Sequence, residues 1–251
     1  MLPTSGRYYV HWKNRRRDSD RRVYTTTMPP KAGPKQDRTI KSTKSTSSNS
    51  LPKGWPPGLA YLTAPKYSAG MTHELCKALH EPSTTLEKAS VFRAPSGPSS
   101  LIRITPISNP SHPANGQAGL FAAQHLAPNT LILPYLGLFH AKEDTDEASD
   151  YDLTLDRDLG VGIDASKMGN EARFINDYRG ICSAPNAEFR ELWVDAGGGA
   201  IERWMAVFVL SVGKSGKRAK GIAKGEEVLV SYGKGFWNER KNEVAGDKDA
   251  M

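Results

Sequence analysis

The sequence has little of what defines several common protein classes. Its 251 residues include two cysteines, Cys76 and Cys182, and no Cys-x-x-Cys, so neither a disulfide framework nor a structural zinc site is indicated. No apolar run approaches the length of about 20 residues that a membrane-spanning helix needs, and no secretory signal opens the chain. No Gly-x-Gly-x-x-Gly follows a strand-like segment, which argues against a Rossmann-type fold. The scarcity of cysteine favours a reducing compartment.

The composition favours short strands joined by turns. The chain holds 23 glycines and 17 prolines, a density that argues against a helical bundle. Hydrophobic residues make up 38% and the mean hydropathy is −0.53. A core is therefore expected, together with a part of the chain that stays unfolded.

The net charge of +7 is concentrated at the beginning of the chain. Residues 1–53 carry 13 Lys and Arg against 3 Asp, whereas the rest of the chain is slightly acidic, at −3. We expect residues 1–50 to be a disordered basic tail, with nuclear import, a nucleic-acid contact and a mitochondrial presequence as open alternatives. Met28 is an alternative start that would remove both arginine clusters. A slightly acidic body suits a basic substrate segment.

Local patterns predict one early helix and then mostly strands. Residues 72–80 predict a helix that Thr72 caps, with Leu75 and Leu79 on one face and Pro82 as its stop. Residues 94–100 are typical of a linker, and residues 235–242 predict a C-terminal helix. Strands are predicted at 101–105, 130–138, 151–155, 204–212 and 228–232.

Several motifs follow one another in the second half of the chain. Residues 115–123 read Asn-Gly-Gln-Ala-Gly-Leu-Phe-Ala-Ala, with small residues that let a ligand pack on backbone. Residues 173–176 read Arg-Phe-Ile-Asn, and Pro-Asn-Ala follows at 185–187. Residues 224–233 read Lys-Gly-Glu-Glu-Val-Leu-Val-Ser-Tyr-Gly. The first motif is a weak signal alone, but the motifs together and in this order are far more specific than any one of them.

This ordered set resembles the signature of SET-domain protein lysine methyltransferases, over roughly residues 101–237. The resemblance implies a fold that is mainly β with short helices, a β-clip-like set of small curved sheets with a C-terminal pseudoknot. It divides the chain into the tail at 1–50, a flanking segment with a short helix at 51–100, a SET domain at 101–233 and a C-terminal helix or tail at 234–251 that packs on the core. The implied cofactor is S-adenosyl-L-methionine. No metal is implied, because the cysteine-rich pre-SET and post-SET zinc modules are missing.

The resemblance also implies roles for particular residues. Backbone of the first motif holds the methionine end of the donor, the Asn176 amide bonds the same end, and the backbone of Asp177 reads adenine. Tyr232 orients the methyl transfer, and Tyr151 lines the lysine channel. The candidate donor-binding residues are Gln117, Ala118, Gly119, Leu120, Arg173, Asn176, Asp177, Tyr232, Phe236 and Trp237, and the candidate catalytic residues are Tyr232 and Tyr151.

Some positions depart from the family pattern. Asp177 replaces the usual His, Gln117 and Ala118 replace a Gly and an aromatic residue, and Val230 replaces the Phe or Tyr that often tunes the number of methyl groups added. Residues 178–183 interrupt the family's Asn-His-Ser-Cys run. Phe236 and Trp237 either cover the donor or are core residues of a terminal helix.

Three functions are open at this point. The first is methyl transfer to a protein lysine, with a histone tail as the leading substrate and a ribosomal or other protein as the alternative, in the nucleus or else in the cytoplasm. The second is a non-catalytic SET module acting in chromatin or complex assembly. The third is nucleic-acid binding by the basic tail, which predicts affinity that falls steeply with salt. No membrane partner is expected.

Overall fold

The structure is a computed structural model that describes residues 10–11, 51–80, 91–197, 200–213, 218 and 220–233. The described residues all belong to one compact unit. Most of the predicted tail, Pro82, the predicted C-terminal helix, Phe236 and Trp237 lie outside them. The predicted domain boundaries stay predictions.

The described elements are short strands, one α-helix and two 3-10 helices, the latter at Lys142–Asp144 and Glu171–Phe174. In chain order they are β1 (Val10–His11), β2 (Ala60–Tyr61), β3 (Lys66–Tyr67), α1 (His73–His80), β4 (Val91–Arg93), β5 (Ile102–Pro106), β6 (Ala118–Ala122), β7 (Leu131–Pro134), β8 (Leu138–Ala141), β9 (Asp152–Asp156), β10 (Val161–Asp164), β11 (Met168–Gly169), β12 (Asn176–Asp177), β13 (Ala187–Gly197), β14 (Ala200–Val209) and β15 (Leu229–Val230).

These strands form several small sheets rather than one large one. A five-stranded sheet has the order β1-β9-β10-β8-β3, and a four-stranded sheet has the order β4-β13-β14-β7. Three two-stranded sheets pair β11 with β2, β12 with β15, and β5 with β6. The prediction of a mainly β fold of small curved sheets with short helices is therefore confirmed.

The local predictions succeed where one signal dominates. The predicted helix is α1, and the Thr72 hydroxyl oxygen accepts a hydrogen bond from the Leu75 N–H at 3.3 Å, as expected of a cap. In β5, Ile102 and Ile104 are buried and Arg103 is exposed, the alternation expected of a strand, so the strand predicted at 101–105 is confirmed.

Elsewhere the elements differ from the prediction. The strand predicted at 130–138 is broken into β7 and β8, because the chain turns at Gly137, where a Cβ would lie 2.4 Å from the Asp164 carbonyl oxygen. The long strand β13 was not predicted. Ala187 and Phe189 are buried two residues apart, and so are Leu192 and Val194, but three positions separate Phe189 from Leu192. This shift in the burial pattern hides the two-residue period of a strand.

The flanking segment is joined to the later strands. β2 pairs in parallel with β11, and β3 pairs in parallel with β8. The Trp55 ring packs edge-on against Tyr61 and Phe174, with centroids 5.0 and 5.9 Å apart, and its N–H donates to the Leu59 carbonyl at 2.9 Å. Aromatic packing of this kind fixes the segment that contains the Arg-Phe-Ile-Asn motif from one side.

A buried polar contact crosses the five-stranded sheet over a glycine. Nε2 of His140 on β8 lies 3.0 Å from the Asp152 carboxylate on β9, and Nδ1 lies 3.0 Å from the Ala141 carbonyl oxygen. A Cβ on Gly162, in the strand between them, would lie 2.5 Å from that Nε2 and 2.8 Å from the carboxylate. Only glycine leaves room for the contact. Burial alone lowers the pKa of His140, but the Asp152 hydrogen bond and charge, the Ala141 carbonyl and the Asp164 charge together raise it above 6.5.

This contact predicts a component of stability that is lost at high pH. Because the folded pKa of His140 is raised, its contribution is present in full below about pH 6.5, the unfolded value, and is lost as pH rises through the folded pKa. We expect the free energy of unfolding of the wild type, minus that of His140→Gln, to fall between pH 6 and pH 8.5. Urea unfolding across that range measures it. A difference that does not change with pH would contradict the assignment.

Candidate active site

The last motif, residues 224–233, forms a closing segment that one continuous stretch, residues 176–186, hydrogen-bonds on both sides. On one side β15 pairs in parallel with β12, and the Tyr178 N–H donates to the Val230 carbonyl at 3.0 Å. On the other side the Asn186 N–H and the Leu229 carbonyl bond at 3.0 Å, and the Asn186 side chain bonds the Leu229 N–H at 2.8 Å and the Glu227 carbonyl at 2.7 Å. This is the knot-like arrangement that was predicted.

The start of the closing segment also pairs with β6. Phe121 and Glu227 form an antiparallel bridge, and the Val228 N–H donates to the Leu120 carbonyl at 2.7 Å. Leu120 and Val228 are both fully buried in the core. Glu227 lies directly opposite Phe121, so the two side chains are on the same face of the pair. Gly119, two residues before Phe121, is on that face as well, and the Glu227 side chain therefore points over Gly119.

Asn176 and Glu227 meet above this glycine. The Asn176 amide Nδ2 donates to Oε1 of Glu227 at 2.7 Å and approaches the Ala118 carbonyl oxygen at 3.5 Å. The other carboxylate oxygen, Oε2, lies 2.9 Å from Nε2 of His112. A Cβ on Gly119 would lie 2.4 Å from Oε1 and 3.1 Å from Nδ2, so this position has to be small. A polar cradle with a glycine floor results.

Tyr232 lies on the other side of the same segment. Its side chain is buried, and its hydroxyl donates to the Ile175 carbonyl oxygen at 2.5 Å. Burial raises its pKa well above 10, and the nearby negative charges of Asp177 and Glu227 add to the effect. The hydroxyl therefore stays protonated at neutral pH and acts as a fixed hydrogen-bonding dipole, not as a base.

The Asp177 carboxylate braces the backbone beside this tyrosine. One oxygen, Oδ2, accepts from the Tyr232 N–H at 2.7 Å and from the Arg179 guanidinium at 2.8 Å, while Oδ1 accepts from the Arg179 N–H at 2.8 Å. The residue that departs from the family's His thus has its charge paired and its oxygens bonded. It ties the closing segment to β12.

Tyr151 is fixed by two neighbours. The Arg173 guanidinium carbon lies 4.1 Å from the centre of the Tyr151 ring, close enough for a cation–π contact. Arg173 is itself held by a 3.0 Å bond from Nε to the Ala165 carbonyl, and the Tyr135 hydroxyl donates to the Tyr151 carbonyl at 2.8 Å. Arg173 therefore positions an aromatic ring, a role different from the donor contact predicted for it, which remains untested.

The structure brings part of the predicted set of site residues together. Ala118, Gly119 and Asn176 meet at the cradle, whereas Gln117 is exposed and the Leu120 side chain lies in the core. The sequence analysis did not predict three residues of the site, Asn186, Glu227 and His112. Asn186 lies in the motif at 185–187 and Glu227 in the motif at 224–233, so the motifs could have indicated both. His112 had no signal in the sequence, because its contact depends on how residues 107–117 fold back.

A cavity of about 410 Å³ lies away from this cradle, between residues 93–100 and strands β7, β13 and β14. The Glu171 carboxylate in its wall accepts from the Tyr61 hydroxyl at 3.0 Å and from the Ser99 N–H at 2.9 Å. Neither Tyr232 nor Asn176 lines this cavity. Among the described residues, no group of three or more His, Cys, Asp or Glu could hold a metal ion, and no helix is long and apolar enough to span a bilayer.

Comparison with known families matches the same region. The family model of the SET domain matches residues 117–233, slightly less than half of the chain. The motifs at 173–176 and 224–233, the knot-like pairing and the contact of Asn176 with Glu227 over Gly119 fall within the matched range, whereas His112 lies outside it. The chain therefore contains a SET domain. The comparison with curated proteins gives no match.

Solved structures that resemble this chain include two of Polycomb Repressive Complex 2. The Chaetomium thermophilum complex bound to GSK126 is 21% identical, with a TM-score of 0.41, over 59% of this chain and 18% of that one. The ctPRC2 structure in an autoinhibited conformation bound to S-adenosylmethionine is 23% identical, with a TM-score of 0.36, over 52% and 15%. This chain thus spans less than a fifth of the length of the chains it resembles.

The bonds of Asp177 predict a graded loss of stability. Asp177→Ala leaves the buried Tyr232 N–H without an acceptor, which costs about 1–3 kcal/mol in the free energy of unfolding. Asp177→Asn keeps an acceptor and should cost less. Arg179→Ala removes a guanidinium that is 32% exposed, so water can take its place beside the Asp177 carboxylate, and it should cost less than Asp177→Ala. Urea unfolding of the three variants measures the order, and equal losses would show that the Tyr232 bond is not the dominant one.

Proposed function

We propose that this protein transfers a methyl group from S-adenosyl-L-methionine to the ε-amine of a protein lysine. One observation carries the proposal: the Tyr232 hydroxyl is anchored to the carbonyl of Ile175, and the adjacent residue, Asn176, directs its amide into the cradle over Gly119. A donor-binding amide and an orienting hydroxyl are thus fixed to neighbouring residues of one segment.

The cradle has the chemistry that the methionine end of the donor requires. Gly119 leaves the space in which the two polar side chains meet. Asn176 supplies an amide, and Glu227 supplies a carboxylate that suits a cationic group. The backbone of residues 118–120 would bind the same end, and the backbone of Asp177 would bind the adenine, as the family resemblance implies. S-adenosyl-L-methionine, when bound, supplies a methyl group on a positively charged sulfur.

The chain's own residues would then act by positioning. A lysine amine must be neutral to attack, and its pKa in water is about 10.4, so the channel has to lower it by desolvation. Tyr151, held by Arg173, gives that channel an aromatic wall. The protonated Tyr232 hydroxyl and the backbone carbonyls near it orient the amine and the methyl group, so most of the rate gain comes from alignment and preorganised dipoles.

The substrate class proposed is a basic, lysine-containing protein segment, a histone tail first, with a nuclear location. Support comes from the exposed acidic residues Glu143, Asp144 and Glu147, which closely precede Tyr151 in the chain. A non-histone substrate, such as a ribosomal protein, has the same chemistry. A non-catalytic SET module remains the second candidate function. It predicts no methyl transfer in the second test below.

The first test is donor binding by calorimetry. We expect the purified full chain to bind S-adenosyl-L-methionine in the micromolar range and Asn176→Ala to lose that binding at least tenfold, because the amide contacts the donor directly. A well-folded wild type that binds no donor would overturn the proposal in its simple form.

The second test separates an enzyme from a donor-binding scaffold. Tyr232→Phe removes only a hydroxyl, so we expect donor affinity to stay within about threefold while the rate of methyl transfer to histone peptides and to full-length histones falls about 100-fold or more. The Phe side chain keeps the buried volume, and thermal unfolding provides the control for folding. Donor binding without transfer by the wild type to histones or to ribosomal proteins would favour the non-catalytic module.

A further inference from the structure

We propose that Glu227 is the acceptor for the α-ammonium group of the methyl donor, and that His112, from outside the matched SET domain, is its positioning residue. This inference rests on the proposed function. It assigns a charged contact that the sequence motifs did not indicate.

The Glu227 carboxylate is buried without a formal positive partner in the described part of the chain. Its side chain is 8% exposed, and its two bonding partners there are the Asn176 amide and the His112 ring, itself 9% exposed. Burying a carboxylate is costly unless it is paired and hydrogen-bonded. Two hydrogen bonds offset part of that cost, and a bound cation would offset more.

The His112 ring is held in one neutral tautomer by its own loop. Its Nδ1 accepts a hydrogen bond from the Ala114 N–H at 3.0 Å, so the proton lies on Nε2, which donates to Glu227 at 2.9 Å. The loop closes through the Gly116 N–H to the Ile107 carbonyl at 2.9 Å. His112 therefore fixes the orientation of the carboxylate without neutralising it.

The place of the carboxylate fits an ammonium group better than a metal ion. It lies at the glycine floor beside the Ala118 carbonyl oxygen, and within the described residues no group donates to Oδ1 of Asn176. An ammonium group has three N–H donors, and three kinds of oxygen acceptor lie here: the Glu227 carboxylate, the Ala118 carbonyl and Oδ1 of Asn176. A metal ion would need several further anionic or nitrogen ligands, and the N–H donors of Asn176 and His112 point toward the carboxylate rather than offering lone pairs.

The test compares two ligands that differ in the amino-acid end. S-adenosylhomocysteine has the α-ammonium, and 5′-methylthioadenosine lacks that end altogether. We expect Glu227→Gln to weaken binding of S-adenosylhomocysteine tenfold or more and to leave binding of 5′-methylthioadenosine within twofold. Glu226→Gln is the matched control, since Glu226 is exposed and its carboxylate accepts, among the described residues, from the Ala223 N–H of its own turn at 2.8 Å. It should change neither affinity.

Substitution of His112 tests the positioning role separately. His112→Gln can still donate to the carboxylate and should keep affinity for S-adenosylhomocysteine within about threefold, whereas His112→Phe should lose most of what Glu227→Gln loses. The affinity for 5′-methylthioadenosine, which does not reach the carboxylate, should stay unchanged in both, and a general loss of structure would lower it as well.

The outcomes distinguish this inference from the proposed function. A wild type that binds neither ligand would overturn both. A wild type that binds S-adenosylhomocysteine, with an unchanged affinity in Glu227→Gln, would overturn the ammonium contact alone. Should Glu227→Gln fail to fold, Glu227→Asp replaces it, because it keeps the charge but withdraws it by one methylene, and the same selective loss is expected.

Discussion

The double hydrogen bonding of the closing segment is the constraint on which the site depends. Residues 227–230 bond to β6, to β12 and to Asn186. Glu227 and Tyr232 therefore reach the cradle and the Ile175 carbonyl only if all three contacts form. Each contact joins residues that are more than 40 positions apart in sequence, so the site exists only once the long-range pairing is complete.

The sequence contained the parts of the site but not their arrangement. The family resemblance singled out Asn176 and Tyr232 and implied the correct fold class, with which the glycine- and proline-rich composition agreed. The sequence alone did not reveal the shift in the burial pattern of β13 or the turn at Gly137 that separates β7 from β8, because both depend on contacts with distant strands. It also gave no sign of His112, whose partner lies 115 residues further on.

The departure at Asp177 illustrates how a motif residue is replaced without loss of order. A carboxylate at this position needs donors, and the chain supplies them locally through Arg179 and at long range through the Tyr232 N–H. Arg179 belongs to the insertion that interrupts the family run. The insertion and the substitution therefore form one compensated unit, although each on its own is a departure from the pattern.

Two carboxylates consequently flank the closing segment and differ in how their charge is balanced. Asp177 has the guanidinium of Arg179 at 2.8 Å, whereas Glu227 has a neutral amide and a neutral imidazole. The charge of Asp177 is balanced by Arg179, so its role in holding the fold together accounts for it. The arrangement at Glu227 leaves a net negative charge in a nearly buried cradle. A fold gains no stability from such a charge unless something cationic binds there, so the imbalance is better explained by ligand recognition than by folding.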